Sequence, residues 1–240
     1  MNLSDSITSL KGVGGKRKEI LERMNIRTVR DLIYTFPRKY EDRRTVSAIM
    51  TAPFDEEVLL EVVVVSKKLQ GSPYNKKAPL KVLVEDSTGN LELVFFNARY
   101  IAGYFYQGQE LTLYGKITLN NGRRQMIHPE FHKTGDKDDI RGLFPVYPLT
   151  EGISQNQMRS LELQALPYHG LITEWLPPDI VDENRLCPPS YAVTNIHFPQ
   201  EERRVLEGRY RLIFEELLIL QTGLFYIKKG IKSGEKGVKL

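Results

Sequence analysis

The sequence is poor in cysteine and lacks the short motifs that mark common enzymes. Cys187 is the single cysteine among 240 residues, which excludes an internal disulfide and a thiolate zinc cluster. A catalytic thiol would need a histidine base beside it, and we expect a buried or inert Cys187 instead. No G-x-x-x-x-G-K-[ST] phosphate loop, H-E-x-x-H zinc motif or G-x-S-x-G elbow occurs. These residues predict no catalytic site and no cofactor.

Histidine is also scarce, and its one suggestive spacing favours no metal. The stretch HPEFH places His128 and His132 four residues apart, with Pro129 between them at the end of a predicted strand. The proline and the end of the strand both argue against a metal-binding pair at this spacing. We expect structural or surface histidines and no metal site.

Long uncharged apolar runs are missing too. The longest, LIFEELLILQTGLFYI, is interrupted by Glu215 and Glu216, so we expect no membrane span. The first residues, MNLSDSITSLKG, lack the basic and apolar parts of a signal peptide. Together with the scarcity of cysteine, this predicts a cytoplasmic protein without a membrane partner.

The charge is mildly basic and unevenly spread. The formal net charge is +4 and the sequence pI about 9.0, which weakly favours acidic partners such as nucleic acid. Residues 1–44 hold eleven basic and six acidic residues, whereas residues 45–133 hold ten and nine. Salt-dependent affinity scales with the number of phosphates neutralised. The middle region is therefore suited to touching a few bases rather than coating a strand.

Three regions are expected along the chain, with an α+β fold. Residues 1–49 predict short helices, and residues 50–150 predict five strands with a break after the third, where ARYIAGYF follows. Asn121-Gly122 is typical of a tight hairpin. This pattern matches a five-stranded OB-fold barrel, with an SH3-like barrel or a small open sheet as alternatives. Residues 151–240 predict helices, the last from about Pro199 to Lys229, followed by a Gly/Lys-rich linker.

The third strand contains two adjacent phenylalanines, Phe95 and Phe96. Side chains alternate along a strand, so Phe95 joins the apolar set of Leu91 and Leu93 inside the barrel, and Phe96 points outward. OB-folds bind single strands by stacking bases on outward aromatic rings. The alternative is that a flanking helix or neighbouring domain covers Phe96. The basic residues of the fourth and fifth strands are candidate phosphate contacts: Lys116, Arg123 and Arg124.

A glycine-rich turn near the N-terminus is a second candidate for DNA contact. LKGVGGKRKEIL, residues 10–21, is similar to a helix-hairpin-helix pattern, in which Gly12 and Gly14 permit a tight turn and the close approach of a phosphate. Lys16, Arg17 and Lys18 would add positive charge. The alternative is a structural joint between two helices with a solvated basic turn.

Several longer stretches carry a family resemblance. The chain resembles the N-terminal part of bacterial RecG-type DNA helicases from about residue 7 to about residue 228. The stretches that carry this resemblance are LKGVGGKRKEIL, IRTVRDLIYTFPRKYEDR, LVFFNARY, QMIHPEF, FPVYPLTEGISQNQMRSL, EWLPPDI, IHFP and RYRLIFEELLILQ. FPRKYEDR, MIHPEF and PVYPLTEG are specific in combination.

The resemblance implies a wedge at the branch point of a replication fork or Holliday junction. A separate ATP- and Mg-dependent motor would pull the duplex, driving fork reversal and branch migration in repair and recombination. Phe96 and Tyr100 would each stack on the last unpaired base of one parental strand. Motor motifs are absent, so we expect the native protein to continue beyond residue 240, the last helix to lead toward the motor, and a monomer. The alternatives are an OB-fold protein-interaction scaffold and a generic single-stranded nucleic-acid binder.

Overall fold

A computed structural model describes residues 2–69, 79–97, 99–134 and 140–234. The chain forms two compact units, one of Met1–Glu41 with Pro145–Leu240 and one of Asp42–Phe144. The helices are η1 Ile7–Ser9, α1 Gly15–Arg23, α2 Val29–Ile33, η2 Arg99–Tyr104, α3 Gln155–Ala165, η3 Leu166–Leu171, α4 Pro178–Glu183, α5 Pro189–His197 and α6 Glu202–Gly234, where η marks a 3₁₀ helix. The strands are β1 Lys39–Arg43, β2 Val46–Ser47, β3 Glu57–Leu69, β4 Leu80–Glu85, β5 Asn90–Phe95, β6 Glu110–Asn120, β7 Arg123–Ile127, β8 Glu130–Lys133 and β9 Gly142–Val146.

Strands of the second unit close into a barrel. Within the described residues the sheet order is β2-β3-β4-β5-β7-β6-β8, and β3 also pairs with β6. The first half of β3 pairs with β6 and the second half with β4, with a register shift between Val64 and Ser66 that bends the strand. All pairs in the ring are antiparallel except β5 with β7. This confirms the α+β class and the five-stranded OB-fold barrel.

Alternation along the strands fills the barrel interior. In β4 and β5 every second residue is buried, and the intervening residues include the charged side chains Lys81 and Glu92, although Val94 between Leu93 and Phe95 is buried as well. Asn121 and Gly122 both have positive φ, as the predicted tight hairpin between β6 and β7 requires. The interior is a single apolar cluster, which includes Leu60, Val62, Leu80, Val82, Leu91, Leu93, Phe95, Leu111, Leu113, Ile117 and Met126.

Two helices of the helical unit begin with reciprocal side-chain caps. Thr28 caps α2 in a reciprocal arrangement with Asp31. Ser154 caps α3 by the same device, because its hydroxyl accepts from the Gln157 amide while the Gln157 side chain accepts from the Ser154 amide. Such caps satisfy amide groups that a helix leaves free at its N-terminus.

The domain boundaries differ from those expected. Residues 1–49 and 151–240, expected as separate regions, contribute to one hydrophobic core, and the barrel unit spans residues 42–144 rather than 50–150. The helices before the barrel are too short to bury their own apolar side chains, so they pack on helices from beyond it. The shared core includes Ile7, Leu21, Val29, Leu32, Ile33, Tyr147, Met158, Leu161, Ala165 and Val193.

The last helix, α6, differs from expectation at both ends. It begins at Glu202 rather than near Pro199, and it continues to Gly234, so residues 230–234 are helical where the sequence predicts a linker. Residues 235–240 lie outside the described part of the chain. No helix among the described residues is long and apolar enough to cross a membrane.

Candidate nucleic-acid interface

The two phenylalanines lie on opposite sides of the barrel wall, as their alternation predicts. Phe95 is 2% exposed and packs at 5.5 Å from the Phe105 ring and 5.6 Å from the Phe131 ring. Phe96, directly after the end of β5, is 47% exposed. Ile127 lies on the same outer side, since it pairs with Val94, two residues before Phe96, and it is also exposed. The end of β5 thus presents an apolar patch to solvent.

His128 supports Phe96 from the neighbouring strand. The Phe96 amide donates to His128 Nε2 at 3.1 Å, and the two rings lie 5.8 Å apart. The His128 amide donates to the Val94 carbonyl at 2.9 Å, and its φ is 47°. The sequence suggests His128 only as one of two histidines that could bind a metal. Its position beside Phe96 depends on the parallel pairing of β5 with β7, which no local sequence pattern predicts.

Tyr100 lies on η2, which follows a sharp turn after Phe96. Asn97 has φ 52°, a conformation that asparagine tolerates better than most residues. Tyr100 is 80% exposed, so the turn presents two aromatic rings within five residues. The Nζ of Lys67 on β3 donates to the carbonyls of Ala102 and Phe105, both at 2.8 Å, and so ties this segment to the barrel. No local sequence pattern indicates this role of Lys67.

The three predicted cations of the barrel lie in different settings. Lys116 is exposed and lies one residue beyond the last β6–β7 pair, at the end of the ladder nearer His128. Arg123 is exposed at the start of β7, five residues and therefore roughly 16 Å from His128. Arg124 donates to the carbonyls of Met50 and Ala52 and lies over the Phe54 ring. The three cations thus do not cluster beside Phe96. The Arg124 guanidinium is already bound by groups of the barrel unit itself.

The glycine-rich turn forms in the helical unit. Gly12 has φ 85°, and its carbonyl accepts from Arg17 Nη1 at 2.6 Å. Gly14 is the N-cap of α1, and Lys16 is exposed in the first turn of that helix. The element before the turn is the short 3₁₀ helix η1 rather than an α-helix. The Gln164 side chain accepts a hydrogen bond from the Lys11 amide and donates one to the Lys11 carbonyl. These bonds attach the turn to α3, as expected of a structural joint.

A metal site and a catalytic thiol are the other two kinds of site that the sequence brings into question. Among the described residues no group of three His, Cys, Asp or Glu side chains is placed to hold a metal ion. Cys187 is half-buried, its thiol lies 3.6 Å from the Glu207 carbonyl, and burial raises the pKa of the thiol. A raised pKa disfavours the nucleophilic thiolate.

Comparison with known proteins places this barrel and its flanking helices in a family. The family model described as RecG wedge domain matches residues 6–168, more than half of the chain. The chain belongs to the RecG wedge family. The matched range contains the whole barrel unit, the FFN turn and the glycine-rich turn, so the RecG wedge includes both candidate contact regions.

Relatives of this RecG wedge chain are longer proteins. An ATP-dependent DNA helicase RecG of Thermotoga maritima is 32% identical over 95% of this chain, which spans 30% of that relative. One of Staphylococcus aureus is 28% identical over 98% of this chain and 34% of its own length. A solved structure, RecG bound to a three-way DNA junction, superposes with a TM-score of 0.84 at 30% identity over 97% of this chain and 32% of that one. The chain thus spans about a third of the relatives that it matches.

Proposed function

We propose that this chain recognises branched DNA and keeps the arms of a junction apart. Phe96 and Tyr100 would each stack on the last unpaired base of one parental strand. The observation that carries the proposal is the pair of exposed rings on either side of the Asn97 turn, at one end of an OB-fold barrel. The structurally similar RecG was solved bound to a three-way DNA junction, which supports the choice of a branched ligand.

Positive charge would contribute less than stacking in the barrel. Lys116 and Arg123 are exposed and separated, so each would neutralise a phosphate on its own. In the helical unit Lys16 beside the α1 N-terminus is a further candidate, with the amides of Gly14 and Gly15. A small number of phosphate contacts predicts a modest fall of affinity with salt.

We propose that the wedge works as part of an ATP-dependent helicase, with ATP and Mg²⁺ bound by a motor outside these residues. Fork reversal and branch migration would be that enzyme's activity, in the bacterial cytoplasm and on the nucleoid, with a monomer as the working form. The names of the relatives support this reading. A row of exposed apolar residues along α6 also supports it, because such a row is expected to be covered by another protein surface. Its members recur every three or four positions, with Ile219, Phe225 and Tyr226 exposed beside the row: Leu206, Tyr210, Ile213, Leu217, Leu220, Leu224 and Ile227.

A binding titration tests the wedge function. Fluorescently labelled fork DNA, duplex and single strand of equal length are titrated against the chain and against a Phe96→Ala, Tyr100→Ala double variant. We expect the chain to prefer the fork and the double variant to lose that preference, since one stacked base contributes about 1–3 kcal/mol. Leu119→Ala, which truncates another exposed apolar side chain of the barrel, is the matched control.

The same titration separates the alternatives. A preference for the single strand over the fork would indicate a generic single-strand binder. Binding that ignores both DNA shape and salt concentration would indicate a protein-interaction scaffold, because phosphate contacts make log K fall linearly with log salt. An unchanged fork preference in the double variant would refute the stacking role.

A further inference from the structure

A groove lies beside Tyr100, between η2 and β8 and over the start of β6. Its volume is about 450 Å³, within the range of roughly 300–1,000 Å³ that small-molecule sites occupy. Its lining residues come from three segments of the barrel unit: Tyr100, Ile101, Tyr104, Gln109, Leu111, Phe131, His132 and Lys133.

The floor of the groove is apolar and its rim is aromatic. Leu111 is fully buried, and the Phe131 ring packs 4.8 Å from Phe105 in the barrel interior. At the rim Tyr104 is 61% exposed, four residues after the still more exposed Tyr100. An exposed aromatic ring beside an apolar surface is a setting in which a base can stack.

The groove is held in shape by hydrogen bonds from outside η2. Lys67 holds the carbonyls of Ala102 and Phe105, and the Gln109 side chain accepts from the Tyr106 amide at 3.1 Å. These bonds fix both ends of the segment that carries Tyr104. A preformed site loses less conformational entropy when a ligand binds.

The charge of the lining suits a nucleotide. None of its eight residues carries a carboxylate, whereas Lys133 is exposed and its Nζ lies 5.8 Å from the Tyr106 ring centroid. A cation at the edge of an aromatic groove fits a phosphate joined to a planar base. An apolar peptide would gain nothing from this lysine.

We infer that the groove binds one unpaired nucleotide of the junction, next to the nucleotide whose base stacks on Tyr100. The base would enter the groove and stack on Tyr104, and Lys133 would contact the adjoining phosphate. The inference rests on the proposed function and extends it, because the wedge would then hold two successive nucleotides of one separated strand and not only its first base.

The test combines an abasic nucleotide with the Tyr104→Ala variant. Forks with an abasic residue at the second unpaired position of one arm, or of the other, are compared with the intact fork. Tyr104→Ala should bind the intact fork at least 5-fold more weakly, since one stacked base corresponds to about 5- to 150-fold in affinity. On the fork that is abasic in the arm entering the groove, chain and variant should bind equally.

Other results overturn the inference or locate the failure. An equal loss on the intact fork and on both abasic forks, or no loss at all, would show that Tyr104 does not hold that base. Phe96→Ala should weaken binding to every fork, so an unchanged Phe96→Ala affinity counts against the wedge function itself, separately from the groove.

Lys133→Ala should reduce the slope of log K against log salt by about 0.7, and an unchanged slope would exclude the phosphate contact. Leu119→Ala is again the control.

Discussion

The Phe96 amide donates a hydrogen bond to His128 Nε2 at 3.1 Å, and the two rings lie 5.8 Å apart. In this hydrogen bond the backbone amide is the donor and the ring nitrogen Nε2 is the acceptor. The pairing is a consequence of topology, since β5 and β7 run parallel and end side by side. The exposed ring proposed to meet DNA is therefore positioned by a residue 32 positions further along the chain.

Removing the imidazole should free Phe96 without removing its ring. We expect His128→Asn to weaken fork binding by about 3- to 10-fold, less than Phe96→Ala, because the ring stays but must be ordered on binding. Asparagine is chosen because φ is 47° at this position, which alanine tolerates less well. Fluorescence anisotropy measures the affinity. When Phe96→Ala is already present, adding His128→Asn should cause no further loss. An additive loss would show that Phe96 and His128 act independently.

Lys67 should hold η2, the segment that carries Tyr100, in place on the barrel. Lys67→Met keeps an unbranched side chain but removes the donor to the carbonyls of Ala102 and Phe105. We expect faster amide hydrogen exchange between residues 99 and 106, together with weaker fork binding. Lys68→Met removes the same charge from the next residue of β3 and is the matched control. Equal effects of both substitutions would mean that charge, rather than the position of η2, is what matters.

Local patterns predicted the elements of this chain better than the surroundings of its candidate residues. Strand alternation separates Phe95 from Phe96, and Ser154 with Gln157 marks the start of α3, because both signals depend on neighbouring residues. The hydrogen bonds of Arg124 to Met50 and Ala52 depend on chain closure over more than seventy residues. The shared core of residues 1–49 and 151–240 is equally non-local, so composition alone could not reveal it.

The glycine-rich turn can be tested for structure and for DNA contact separately. At Gly12, φ is 85° and an added Cβ would lie 2.9 Å from Arg17 Nη1, so Gly12→Ala should lower the free energy of unfolding by about 1–2 kcal/mol. At Gly14 an added Cβ meets nothing within 4 Å, so Gly14→Ala should cost less. Urea unfolding measures both, and equal losses would contradict the φ argument.

Charge at the same turn gives the DNA readout. Lys16 is exposed, so Lys16→Ala should leave the free energy of unfolding nearly unchanged. If the turn binds a phosphate, the slope of log K against log salt for fork DNA should fall by about 0.9. An unchanged slope would leave the turn as a structural joint between η1 and α1.

A buried polar cluster in the helical unit predicts how stability depends on pH. Glu162 is fully buried, Oε2 lies 3.7 Å from His197 Nδ1, and neither of its oxygens has a hydrogen-bond partner among the described residues. Burial raises the pKa of Glu162 well above its ordinary value and lowers the pKa of His169 and of His197 to about 4. The histidines therefore lower stability as pH falls from about 6.5 toward 4, when only the unfolded chain takes up their protons.

Glu162 acts in the opposite direction. Below about pH 4.5 the carboxyl is protonated in both states; as pH rises, the unfolded chain releases this proton and the folded chain retains it, so stability falls until the folded pKa is passed. Glu162→Gln removes this effect and leaves the histidines. The unfolding free energy of the variant minus that of the parent chain should therefore rise with pH, by at most about 1.4 kcal/mol per unit. Urea unfolding at pH 5, 6, 7 and 8 measures the difference, with the exposed Glu183→Gln as control. A difference that stays flat or falls across this range would mean that Glu162 is ionised in the folded protein.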